Sequence, residues 1–98
     1  MAYRINKANL TARVDALNKA LDRPIAPYVI DLFERNAGDR YRAQIGNFHI
    51  GYSYNACQLH EMMNEHGGIT THGPAGTKRE VYEYIGGLLD GIRMARHG

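Results

Sequence analysis

Cysteine is nearly absent from this 98-residue chain: Cys57 stands alone. No intramolecular disulfide can form, and a zinc site built from several cysteines is excluded. A lone cysteine suits a reducing compartment. Long apolar runs are missing as well. No stretch approaches the roughly 18 consecutive apolar residues of a membrane span, and the opening MAYRINKANL has no apolar run of signal-peptide type. The expectation is a cytoplasmic protein that does not engage a membrane. Charge of one sign is also scarce, with a formal net charge of +2, too small by itself to imply a polyanionic partner. Serine occurs once, at Ser53. Neither internal repeats nor low-complexity tracts are found.

What is present is ordinary for a folded protein: 44% apolar and 22% charged residues. The length fits one domain, 1–98, that buries roughly 65% of its unfolded surface. Nine of the twelve basic residues are arginine, whose planar fork matches phosphate and carboxylate. Seven tyrosines add amphipathic contact surface. Both facts lean toward a protein that binds something.

Periodicity predicts a helix over 7–21, with Leu10, Val14, Leu17 and Leu21 on one face. Asn6 fits the N-cap, and Ile5 with Leu10 fits a hydrophobic staple. Pro24 and Pro27 close the helix and stiffen the connector. Residues 28–35 (YVIDLFER) are β-branched and aromatic, which predicts a strand. A turn at 36–39 leads to RYRAQI at 40–45, where Tyr41, Ala43 and Ile45 alternate with Arg40, Arg42 and Gln44. After a turn at 46–47, FHIGYSY at 48–54 alternates again. Residues 57–64 suit either a helix or a strand on periodicity alone. A second helix is predicted over 78–92, opened by a Thr77/Glu80 capping box, with Val81, Ile85, Leu88 and Ile92 on one face. Gly86, Gly87 and Gly91 cost about 1 kcal/mol each against alanine there, which implies close packing, and the tail after 92 is expected to fray. The architecture expected is α+β: an antiparallel three- to four-stranded sheet, wired most simply as a meander, with the N- and C-terminal helices packed on one face.

Three candidate sites follow. His60, His66 and His72 recur every six residues. On a helix, His60 and His66 would sit about 120° apart around the axis; on a strand they would lie about 20 Å apart. The i, i+4 spacing of helical zinc pairs is missed, so solvated loop histidines are the better reading. A metal-dependent hydrolase built on them is the third choice. GYSYN at 51–55 looks like half of a nucleophile elbow around Ser53, but the second glycine is missing. Cys57 reads as a buried structural thiol. The stretch GPAGTKRE at 73–80 is the most suggestive: a glycine-rich lead into a helix start, with Lys78 and Arg79 where their charge opposes the dipole. A bound phosphate or carboxylate would relieve that opposition. Arg40 and Arg42 could extend the basic patch, and Tyr52 or Tyr54 could add contacts.

LNKAL (17–21), GNFHI (46–50), the aromatic stretch through Tyr54, NEHGG (64–68), GTKREVYEYI (76–85) and LLDGI (88–92) together resemble a set of short bacteriophage and prophage proteins. The resemblance spans 17–92 and implies no activity, cofactor or catalytic residue. Such sequences are more β-branched after the aromatic stretch, which favours a strand for 57–63. Here Asn55 and Ala56 stand where those sequences continue into Gly-Gly. The helix–three strands–helix order is also similar to double-stranded-RNA-binding modules, at the level of topology only, and their longer lysine cluster is absent. The expectation is a non-enzymatic accessory protein without a cofactor, acting in the host cytoplasm on a host protein or a nucleic acid. A homodimer is a further possibility. Lys78 and Arg79 are its first candidate contacts, with Arg40, Arg42, Tyr52 and Tyr54 behind them.

Overall fold

A computed structural model describes residues 4–36 and 41–97. Helix α1 (Lys7–Ala20) is followed by strands β1 (Tyr28–Ile30), β2 (Tyr41–Ala43), β3 (Phe48–Ser53), β4 (Ala56–Met62) and β5 (Ile69–Gly76), then helix α2 (Lys78–His97). The α+β class and the helix–strands–helix order are as the sequence predicts. The strands form two antiparallel sheets: a β1–β2 ribbon and a β3–β4–β5 meander.

Both helix starts follow from local chemistry. The Asn6 side chain accepts from the Asn9 amide at 2.9 Å, and Asn9 returns the bond to the Asn6 amide at 3.0 Å. Ile5 and Leu10 are both buried beside this cap, as the staple requires. Thr77 and Glu80 cap α2 reciprocally at 3.2 and 3.1 Å. These bonds, together with the N-cap oxygens that accept the first intrahelical bonds, fix where each helix begins.

The helices cover one face of the meander and pack on each other, α1 on β3 and α2 on β4 and β5. Leu10, Val14 and Leu17 meet Phe48, Cys57, Leu59, Val81 and Ile85 in one cluster. A polar clasp joins α1 to β3 within it. The fully buried Asn18 donates to the Phe48 carbonyl at 3.0 Å and accepts from the Phe48 amide at 2.8 Å. Its amide thus supplies the partners that a neighbouring strand would give this edge.

Several expectations need correction. The strand predicted over 28–35 stops at Ile30. The Asp31 carboxylate accepts from the Phe33 amide at 3.0 Å, an Asx-type turn that draws the backbone out of the ladder. Of the strand predicted over 40–45, Tyr41–Ala43 forms β2 and residues 44–45 do not continue it, while residues 37–40, including Arg40, lie outside the described residues. Residues 56–62 are a strand, as the resemblance favoured. The glycine-rich lead into α2 is itself a strand, β5. Helix α2 does not fray at 92 but runs to His97. Its three glycines divide. A Cβ on Gly86 would meet the Arg13 guanidinium at 2.6 Å, whereas Gly87 and Gly91 face open space. Close packing explains the first glycine and not the other two.

Candidate functional site

The meander leaves one face without a helix. By register, His49, Gly51 and Ser53 on β3 share that face with His60, Gln58 and Ala56 on β4. The His60 ring lies over Gly51, where an added Cβ would stand 2.0 Å from its Cε1. His49 meets His60 edge to face, with ring centroids 5.5 Å apart. Burial lowers the pKa of both rings, and His60 lowers that of His49 further. Ser53 lies four residues along the strand from His49, roughly 13 Å away by strand rise. It leads into a hairpin loop and not into a helix, so a nucleophile elbow is not formed.

The histidines singled out by spacing go to three places. His60 is on the open face, His66 is exposed in the β4–β5 loop, and His72 is on β5 toward the helices. His72 Nε2 lies 2.7 Å from Glu61 Oε1, while Arg23 reaches Glu61 Oε2 at 3.2 Å. Among the described residues no three His, Cys, Asp or Glu side chains are grouped to hold a metal. Cys57 is buried with its sulfur 3.6 Å from the Gly76 carbonyl. Burial raises its pKa, and Glu80 adds to this against the opposing charge of Lys78, so the thiol stays protonated and inert.

A cleft of about 580 Å³ gathers the other candidates. Both helices begin at it. Lys7 from the start of α1 and Lys78 and Arg79 from the start of α2 line it, together with Arg4, Tyr52 and Tyr54. Among the described residues, Arg4, Lys7 and Lys78 have no carboxylate within 4.0 Å. Arg79 has only an exposed i, i+4 contact to Glu83 at 3.8 Å, a weak restraint. Lys7 sits 4.7 Å over the Tyr52 ring. Tyr52 keeps its phenol proton, because burial, and then Cys57, raises its pKa. Tyr54 is fully exposed at the first position of the two-residue β3–β4 loop, with φ at 44°. Glycine is the usual residue for a positive φ at that loop position.

Four of the six residues chosen from sequence therefore converge: Lys78, Arg79, Tyr52 and Tyr54. Arg42 does not join them. It lies on β2, 3.9 Å from Asp31. Arg4 and Lys7 were not foreseen. Their signal was available, since Arg4 and Lys7 flank the Asn6 cap much as Lys78 and Arg79 follow the Thr77 cap. What the sequence hides is that α1 and α2 start at the same end of the sheet. Comparison with family models, curated proteins and solved structures gives no match for this chain. No helix among the described residues is long and apolar enough to cross a membrane.

Proposed function

We propose that this chain is a non-enzymatic binding module that holds a single-stranded nucleic acid in the cleft between its two helix starts. The observation that carries the reading is the convergence of Arg4, Lys7, Lys78 and Arg79 around the exposed ring of Tyr54. Cations along a groove neutralise successive phosphates, and an exposed ring beside them stacks an unpaired base. The N1 and N2 amides, which each capping box leaves without an intrahelical partner, add donors for phosphate oxygens. Tyr54 in a glycine-preferring conformation supports a role beyond folding, because strain of that kind persists where function maintains it. The phage or prophage origin implied by the resemblance belongs to the same proposal and would put the target in the host cytoplasm.

Fluorescence anisotropy with short single-stranded and duplex oligonucleotides tests this. Affinity for single strands should fall with salt, with a log–log slope of about −0.7 per phosphate neutralised, hence roughly −2 to −3 for three or four contacts. Duplex should bind more weakly. No binding at low salt, or equal affinity for duplex and single strand, would remove the reading. A salt-insensitive protein partner captured through Tyr52 and Tyr54 would replace it.

A further inference from the structure

The β1–β2 ribbon points to a second role. Its strands contact chiefly each other; Ala43 is buried, with its amide bonded to the Glu65 carbonyl at 3.1 Å, but no ribbon residue joins the central apolar cluster. The radius of gyration is 15.0 Å, against about 13 Å for a compact chain of this length. The ribbon is also strongly apolar on its outside. Tyr28, Val29, Ile30, Leu32, Phe33 and Tyr41 are 49, 44, 55, 81, 95 and 62% exposed. At about 150–200 Å² for each side chain, these leave on the order of 600 Å² of surface in water. A two-stranded ribbon of this length is marginal on its own, and its apolar surface, with Tyr28, Ile30 and Tyr41 on one face and Val29 on the other, marks an interaction surface along the strand edge.

We infer that this ribbon is the interface of a homodimer, formed by β1 pairing antiparallel with β1 of a second copy across a two-fold axis. Three observations select a second copy. Strand β1 pairs only with β2, so its outer edge is open among the described residues. An antiparallel two-fold pairing sets Val29 against Val29 and Tyr28 against Ile30, apolar against apolar throughout. The patch is also neutral. Over residues 28–36 and 41–45 the two acidic residues, Asp31 and Glu34, balance the two basic residues, Arg35 and Arg42, so two copies do not repel. Pairing the edges buries part of this apolar surface together with the open backbone groups of β1, a small interface by the standard of roughly 800 Å² per partner, and hence a dimer in the micromolar range.

Sedimentation of the full chain across the micromolar range should show a dimer. Val29→Cys should form a disulfide-linked dimer under mild oxidation, since paired residues on adjacent strands lie within disulfide reach. The buried Cys57 does not compete, and Thr11→Cys on the exposed side of α1 should remain monomeric on denaturing gels. Leu32→Asp with Phe33→Asp should raise the dissociation constant by roughly thirtyfold or more. Because both residues are largely exposed, the circular dichroism spectrum should not change. A monomer at every concentration overturns the inference. So does a dimer that survives the double substitution without cross-linking at position 29, which would place self-association on another face.

Discussion

Tyr54 and Gly51 sit three residues apart and pose opposite backbone questions. Tyr54 holds φ at 44°, a region that costs a residue with a Cβ about 1–2 kcal/mol. Tyr54→Gly should raise stability to urea by about 0.5–1 kcal/mol once the greater freedom of the unfolded glycine is deducted. The same change should weaken single-strand binding by about tenfold, the loss of one stacked base. A variant that gained stability with affinity unchanged would detach the ring from the ligand. Gly51 is required by its neighbour and not by its dihedrals. Gly51→Ala should cost about 0.5–1.5 kcal/mol, because the part-exposed His60 ring must turn out of the space a methyl needs. Adding His60→Ala should restore most of it, and a double-mutant cycle measures the coupling. The alternation of 48–54 made the strand legible and put Gly51 on the polar face. It could not show that the ring of a histidine from the next strand reaches into the space beside it. Asn18 was equally silent. Nothing in LNKAL marks one asparagine as the clasp on Phe48, since its partner is 30 residues away.

At the scale of elements, local chemistry was readable and pairing was not. The Asn6 cap, the Thr77/Glu80 capping box, the staple and two helical stripes lie within a few residues and survive intact. Strand β5 was missed because ITTHGPAG has no alternation, and Pro74 argues against a strand. The structure makes β5 an edge, where a missing amide is tolerated. Gly73 takes φ at 71°, close to a register shift between Cys57 and Leu59, and the Tyr84 ring fills the space beside it. The three histidines are spread because a turn over Asn64–Gly67 sends the chain into a new strand, leaving His60 on β4, His66 in the turn and His72 on β5. The helix starts make a prediction of their own. Lys78 opposes the dipole of α2, so Lys78→Glu should stabilise the fold slightly, by about a few tenths of a kcal/mol at low salt. It should also abolish most single-strand binding. Loss of binding with a stable fold separates a ligand contact from a structural one. Loss of both would make Lys78 structural and weaken the proposed cleft.

For the whole molecule, the pH response and the division into body and ribbon can be tested together. Burial lowers the pKa of His49 and His60 from 6.5 in the folded chain. As pH falls below that value the unfolded chain takes up protons first, so this part of the stability is complete above about pH 6.5 and drains away as pH drops through the depressed folded values. Glu80 adds a second, lower window. Its bonds to Thr77 lower its pKa from 4.5, so its contribution is present above about 4.5 and lost below. All three groups belong to the meander and α2, and none lies in the ribbon. The ribbon's ends are already joined, since the Gln44 amide donates to the Pro27 carbonyl at 2.8 Å. Asn47 independently ties Pro24 and Ile25 to the start of β3 at 2.8 and 3.0 Å. Replacing 28–43 by a short Asn-Gly turn should therefore leave a monomeric body. That body should melt cooperatively, lose stability as pH falls from about 6.5 through the depressed folded pKa values of His49 and His60, as the full chain should, and bind single strands with the same salt slope. Thermal melts across that range, with sedimentation alongside, would show it. If the shortened chain failed to melt cooperatively, the ribbon would be part of the core that Leu10, Leu59 and Ile85 define, and its exposed side chains would need another explanation.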